Sequence, residues 1–141
     1  MANSKENSSW AETKVFPCSL DISGYPGWAI FSILDGHRYI RGDLILRDTH
    51  LDILPDQLFV EGDLDFTNSC IEKLPDELAV GGDLYLVRSR LIHELPDNLY
   101  VGGDLYVANS SLNGQKLPDS ASIGGRVIDN NYLHNLGGDK S

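Results

Sequence analysis

Apolar residues follow two rhythms along this chain. Over short stretches such as Leu78-Ala79-Val80 and Leu84-Tyr85-Leu86 they alternate one in two, the period of a half-buried β-strand. Over longer distances the whole pattern returns about every twenty residues. Gly-Asp-Leu stands at Gly42-Asp43-Leu44, Gly62-Asp63-Leu64, Gly82-Asp83-Leu84 and Gly103-Asp104-Leu105, with a worn copy at Gly125-Arg126-Val127, so the spacings are 20, 20, 21 and 22 residues. Leu-Pro-Asp returns in step at Leu54-Pro55-Asp56, Leu74-Pro75-Asp76, Leu95-Pro96-Asp97 and Leu117-Pro118-Asp119, and Leu34-Asp35-Gly36 reads as a degenerate first copy. A fixed period of this size is the mark of a solenoid. The expected fold is therefore mainly β: a short single-domain solenoid of about five coils over residues 34–135.

A coil of twenty residues is too short for a strand, a full helix and two turns. Its return side is expected to be extended, or a brief 3₁₀ stretch, opened at the Leu-Pro-Asp corner where proline fixes φ and withholds an N–H. Gly81-Gly82 and Gly102-Gly103 are expected to turn the backbone through positive φ before the next strand. Stacking would align Leu44, Leu64, Leu84, Leu105 and Val127 in one core column and Leu46, Phe66, Leu86 and Val107 in another. A buried aliphatic side chain contributes about 1.5–3 kcal/mol. One coil alone falls short of offsetting the ordering of its backbone, so neighbours must supply the rest. Thr49, Ser69, Ser89 and Ser110 recur just after the strand, where their hydroxyls are expected to form a structural ladder with the backbone.

The segment Gly81-Gly82-Asp83-Leu84-Tyr85-Leu86-Val87-Arg88-Ser89-Arg90-Leu91 resembles the leucine-rich repeat family, whose conserved segment reads Leu-x-x-Leu-x-Leu-x-x-Asn-x-Leu. The Leu-Pro corner and short period look most like the bacterial type found in secreted effectors and in phage or prophage proteins. That resemblance implies a leucine-rich-repeat-like solenoid. Two departures stand out: Ser or Thr replaces the usual Asn, and glycine stands where the first leucine belongs.

Residues 1–33 carry no repeat and are expected to form an N-terminal tail and cap. Trp10, Phe16, Tyr25, Trp28 and Phe31 concentrate aromatic surface there. Ser9 and Glu12 have capping-box spacing, which predicts a short helix near 9–15, and a strand is predicted around 28–33. An exposed binding loop at Tyr25-Pro26-Gly27-Trp28 is the alternative. Residues 136–141 read as a flexible C-terminal tail, with the last coil as the C-terminal cap.

Charge narrows the function. The chain of 141 residues has 11 Lys and Arg against 21 Asp and Glu, a net charge of −10. Residues 34–141 hold 18 acids and 9 bases, so the acidity belongs to the repeat. That sign argues against direct nucleic-acid binding and against an anionic membrane surface. Cys18 and Cys70 stand alone, without metal or disulfide spacing, and the polar start lacks the apolar run of a signal peptide. A reduced, cytoplasmic setting is the expectation, in a bacterium or in a host cell. The Asn-x-Ser matches at Asn7 and Asn109 carry no weight without secretion.

With the leucines pointing inward, the residues between them form a grid on the outer face. Its first column is Asp43, Asp63, Asp83, Asp104 and Arg126, and its second is Ile45, Asp65, Tyr85, Tyr106 and Ile128. The candidate partner-binding residues are Asp43, Ile45, Asp63, Asp65, Asp83, Tyr85, Asp104 and Tyr106, because a carboxylate stripe beside aromatic and aliphatic surface suits a basic protein partner. The same Asp column also suits turn capping by backbone amides. Asp56, Asp76, Asp97 and Asp119 read as corner chemistry. His37, His50, His93 and His134 fall at different repeat positions, and neither a nucleophile–base pair nor metal-ligand spacing stands out, so neither catalysis nor a cofactor is expected. The Ca²⁺-binding glycine-rich nonapeptide is absent, and Arg41-Gly42-Asp43 is one more copy of the Gly-Asp repeat. Two functions remain. One is a noncatalytic protein-binding module or small effector or inhibitor; the other is a phage-encoded acidic mimic of nucleic acid that blocks a host DNA- or RNA-binding defence or transcription protein.

Overall fold

Each repeat contains two alternating stretches, Leu-x-Val and Leu-x-Leu, and each stretch makes its own short strand. The computed structural model describes residues 14–51, 54, 56–113 and 116–130. In chain order its elements are β1 (Lys14–Phe16), β2 (Leu20–Asp21), α1 (Gly27–Leu34), β3 (His37–Ile40), β4 (Leu44–Ile45), β5 (Phe59–Val60), β6 (Leu64–Asp65), β7 (Ala79–Val80), β8 (Leu84–Tyr85), β9 (Tyr100–Val101), β10 (Leu105–Tyr106), β11 (Ser122–Ile123) and β12 (Val127–Ile128). The odd strands form one parallel six-stranded sheet and the even strands another. The result is a β-solenoid of six rungs joined by five turns.

Register is set by equivalence. Leu44, Leu64, Leu84, Leu105 and Val127 are paired in line. The first four are fully buried, as are Leu46, Phe66 and Leu86, while Val127 in the last rung is half-buried. Leu58, Leu78 and Leu99 continue the core under the other sheet with Ile40, Val60, Val80 and Val101. The hydroxyl ladder is present: Thr49, Ser69 and Ser89 are buried, and Ser69 and Ser89 donate to the carbonyls of Leu46 (2.6 Å) and Phe66 (2.8 Å) one coil back. Thr49 and Ser110 bond within their own coils, to the carbonyls of Leu46 and Val107.

No 3₁₀ segment occurs among the described residues, in keeping with the extended alternative for the return side. Other local expectations are overturned. The predicted strand at 28–33 is helix α1. Ile30 and Leu34, four apart, are both buried, whereas Trp28 is 75 % exposed, so the run has the period of a helix and not of a strand. Pro26 opens it by accepting from Ala29 and Ile30 N–H, and Asp35 and Gly36 close it at φ 40° and 82°. Leu34-Asp35-Gly36 is thus a helix end that keeps only the buried leucine of the corner motif. Of the predicted helix at 9–15, residues 9–13 lie outside the described residues and Val15 lies in strand β1.

The two sheets also begin earlier than the repeat is recognisable. Leu20 pairs with Leu44 and Asp21 with Ile45, so Cys18-Ser19-Leu20 fills the place of Gly42-Asp43-Leu44. The described part of residues 1–33 holds this rung and helix α1, while the proposed tail at 136–141 lies outside the described residues.

Positive φ falls elsewhere than expected. Among the described residues only Gly24 and Gly36 are positive-φ glycines, while Asp48, Asn68, Arg88 and Asn109 occupy that region at one corner and Gln57, Glu77 and Asn98 at another. Asn and Asp tolerate the left-handed conformation because their short polar groups bond locally. Asn68 Nδ2 indeed donates to Asp48 Oδ1 at 2.7 Å.

Candidate functional site

The Asp column is built into the stack. Asp43 Oδ1 accepts the N–H of Asp63 (2.8 Å), Asp63 Oδ1 that of Asp83 (2.7 Å), Asp83 Oδ1 that of Asp104 (2.7 Å) and Asp104 Oδ1 that of Arg126 (2.8 Å). Ser19 Oγ does the same for Asp43 N–H at 2.9 Å. Each carboxylate therefore caps the coil after its own. This also explains why glycine precedes each Asp: a Cβ on Gly62, Gly82, Gly103 or Gly125 would overlap the Oδ1 of Asp43, Asp63, Asp83 or Asp104. The glycine serves close approach between coils and not a positive-φ turn. The four carboxylates remain half-exposed, so one oxygen of each is used inside while the charge stays near the surface.

Beside this column lie the second-column residues. Tyr85 and Tyr106 stack face to face, with ring centroids 4.5 Å apart and planes 7° from parallel. Tyr85 Oη donates to Asp83 Oδ2 at 3.4 Å. Burial first, and then the charge of Asp83, push the Tyr85 phenol up to about 12, and burial with the charges of Asp83 and Asp104 raises Tyr106 as well. Both phenols stay neutral and act as hydrogen-bonding amphipathic surface. Ile45 is half-exposed.

Asp65 departs from the expected pattern. It is only 2 % exposed, its Oδ2 holds Arg47 Nε at 2.6 Å, and its Oδ1 accepts from Thr67 N–H and Oγ1. The Asp65 carboxylate raises the Arg47 guanidinium in turn. Its charge is answered by Arg47 of the preceding coil, whose side chain is 58 % exposed.

A second acidic edge runs along the opposite corner, where Asp56, Asp76, Glu77, Asp97 and Asp119 are exposed. Sequence reasoning also passed over the outer column of the other sheet: Tyr39, Phe59, Ala79, Tyr100 and Ser122. Tyr39 meets Phe59 edge-on at 4.9 Å, and Tyr100 is exposed. The x of Leu-x-Val carried that signal. Near the N-terminus, Tyr25 and Trp28 are exposed as the binding-loop alternative required, although Trp28 sits on α1 and not in a loop. Among the described residues there is no group of three or more His, Cys, Asp or Glu side chains placed to hold a metal ion, and no helix long and apolar enough to cross a membrane. Neither a family model, nor a curated protein, nor a solved structure matches this chain.

Proposed function

We propose that this protein is a noncatalytic, leucine-rich-repeat-like binding module, acting as a small effector or inhibitor on a partner with a basic surface. The observation that carries this reading is the Tyr85–Tyr106 stack set beside the carboxylates of Asp83 and Asp104. Rigid paired rings offer amphipathic contact area at low entropy cost, and adjacent carboxylates favour Lys and Arg on the facing surface. Net charge of −10 steers such a partner toward the face. A cytoplasmic site of action, in a bacterium or its host, fits the two unpaired cysteines.

A second reading rests on the parallel acidic rows. Carboxylates repeated at the coil spacing of about 4.8 Å along both corners suit a mimic of nucleic acid, occupying the groove of a host DNA- or RNA-binding protein.

The test is affinity capture from bacterial and host lysates at low and moderate salt, using the parent protein and Tyr85→Ala/Tyr106→Ala. The tyrosine-face reading expects a partner that resists moderate salt and is lost from the double variant. A nucleic-acid-binding partner that salt elutes, and that the double variant retains, supports mimicry and overturns the tyrosine face.

A further inference from the structure

The sheet made by the odd strands carries none of the residues of the proposed face, yet its four inner rungs form a step. On β3 and β5 the outward positions hold large side chains, Tyr39 with Arg41 and Phe59 with Glu61. This half is raised and braced from within. Tyr39 Oη donates to Glu61 Oε2 at 2.8 Å, and the Tyr39 ring meets Phe59 edge-on at 4.9 Å. Both rings stay half-exposed. On β7 and β9 the same positions are low, with Ala79, Gly81 and Gly102 as a floor. Tyr100, 46 % exposed, bounds that floor, and a Cβ placed on Gly102 would stand 3.3 Å from its hydroxyl, so the ring leans along its own strand.

Charge divides along the same line. Arg38 and Arg41 are exposed on the raised half, where Arg38 Nη1 reaches Gln57 Oε1 at 3.4 Å. Glu77 and Asp97 are exposed beside the low half.

A face that is raised and basic at one end, and low and acidic at the other, is complementary to itself under one operation. A two-fold axis lying in the face, parallel to the strands and midway between β5 and β7, reverses the order of the rungs while keeping strand direction. It sets Phe59 over Ala79 of a second copy, Glu61 over its Gly81 and Arg41 over its Gly102. Tyr39 then meets Tyr100 of the second copy, and Arg38 comes opposite its Glu77. We propose that this face pairs two copies of the chain about such an axis, as an isologous dimer that closes on itself. Pairing covers the exposed rings and matches bulk to space and base to acid. Four strands about 4.8 Å apart make a face under about 20 Å long, smaller than a permanent interface requires, so the dimer forms and parts reversibly.

The test exchanges bulk across the axis. Sedimentation equilibrium would follow the parent over a concentration series in moderate salt, which screens the −10 charge of each copy, with circular dichroism to verify folding of every variant. Parent mass should rise from one copy to two and stop there. Ala79→Phe sets ring against ring, and Phe59→Ala leaves the floor unfilled, so each should weaken association by about tenfold or more. Their equimolar mixture, and the single chain carrying both changes, should regain the parent's association, because each restores one ring over one alanine at both contacts. Should Phe59→Ala unfold the chain, Arg38→Glu and Glu77→Arg run the same exchange on the charged pair. A parent that stays single to about 1 mM, growth beyond two copies, or folded single variants that associate as the parent does would each overturn the proposal. So would an exchanged variant that associates no better than the single changes.

Discussion

A carboxylate that accepts one backbone N–H through Oδ1 still has Oδ2 and its full charge, so Asp83 can hold Asp104 in place and face a partner at once. The two roles separate by substitution. Asp83→Asn keeps an oxygen for the Asp104 N–H and should change stability by no more than roughly 1 kcal/mol, the scale of a neutral hydrogen bond. Asp83→Ala leaves that N–H without its acceptor and should cost about 1.5–3 kcal/mol, the range for bonds to charged groups; urea unfolding of both variants checks the difference. Tyr85 gives a pH signature. Its phenol is raised from 10.0 to about 12, so the folded state holds the proton that the unfolded chain releases. The stability linked to this group is present below pH 10.0 and is lost as pH rises through about 12. Ultraviolet titration of phenolate in the parent and in Tyr85→Phe should show a late-ionising tyrosine that the variant lacks. At this scale the sequence displayed the Gly-Asp pairing as a turn motif, yet the reason for the pairing lies one coil away, some twenty residues distant, where no local rule reaches.

At the scale of elements, two-residue strands survive because the interior ones are paired on both sides and filled from within. Phe66 is the largest of the fully buried core side chains and interrupts a column otherwise made of aliphatics. Phe66→Ala should destabilise by about 3–5 kcal/mol, the usual cost of emptying an aromatic site in a core; the shift of the unfolding midpoint in denaturant measures it. The strands were legible because Leu-x-Val and Leu-x-Leu alternate without ambiguity. Helix α1 was not, since Trp28-Ala29-Ile30-Phe31-Ser32-Ile33 contains a short apolar run in which strand and helix periods are hard to separate. The first rung escaped notice because Cys18-Ser19 has replaced Gly-Asp, and because α1 stretches that turn to 24 residues from Ser19 to Asp43. Ser19 keeps the acceptor while losing the spelling.

On the scale of the whole molecule, stacked near-identical coils convert a sequence period into a surface lattice, with carboxylates and aromatic rings repeated along one axis. The solenoid was legible from the period alone. The division of the outer face was less so: Asp65 reads as another exposed acid in sequence, and only the neighbouring coil reveals that Arg47 covers its charge. In the proposed function the Asp column stabilises the stack through oxygen and recruits a partner through charge. Replacing Asp63, Asp83 and Asp104 together by Asn separates these contributions, and the decisive measurement is capture of the parent's partner by that variant at low salt, alongside its thermal unfolding. The expected result is an unfolding midpoint near the parent's with retention weakened by about tenfold or more, equivalent to ~1.4 kcal/mol. Undiminished retention by a folded triple-Asn variant would contradict it.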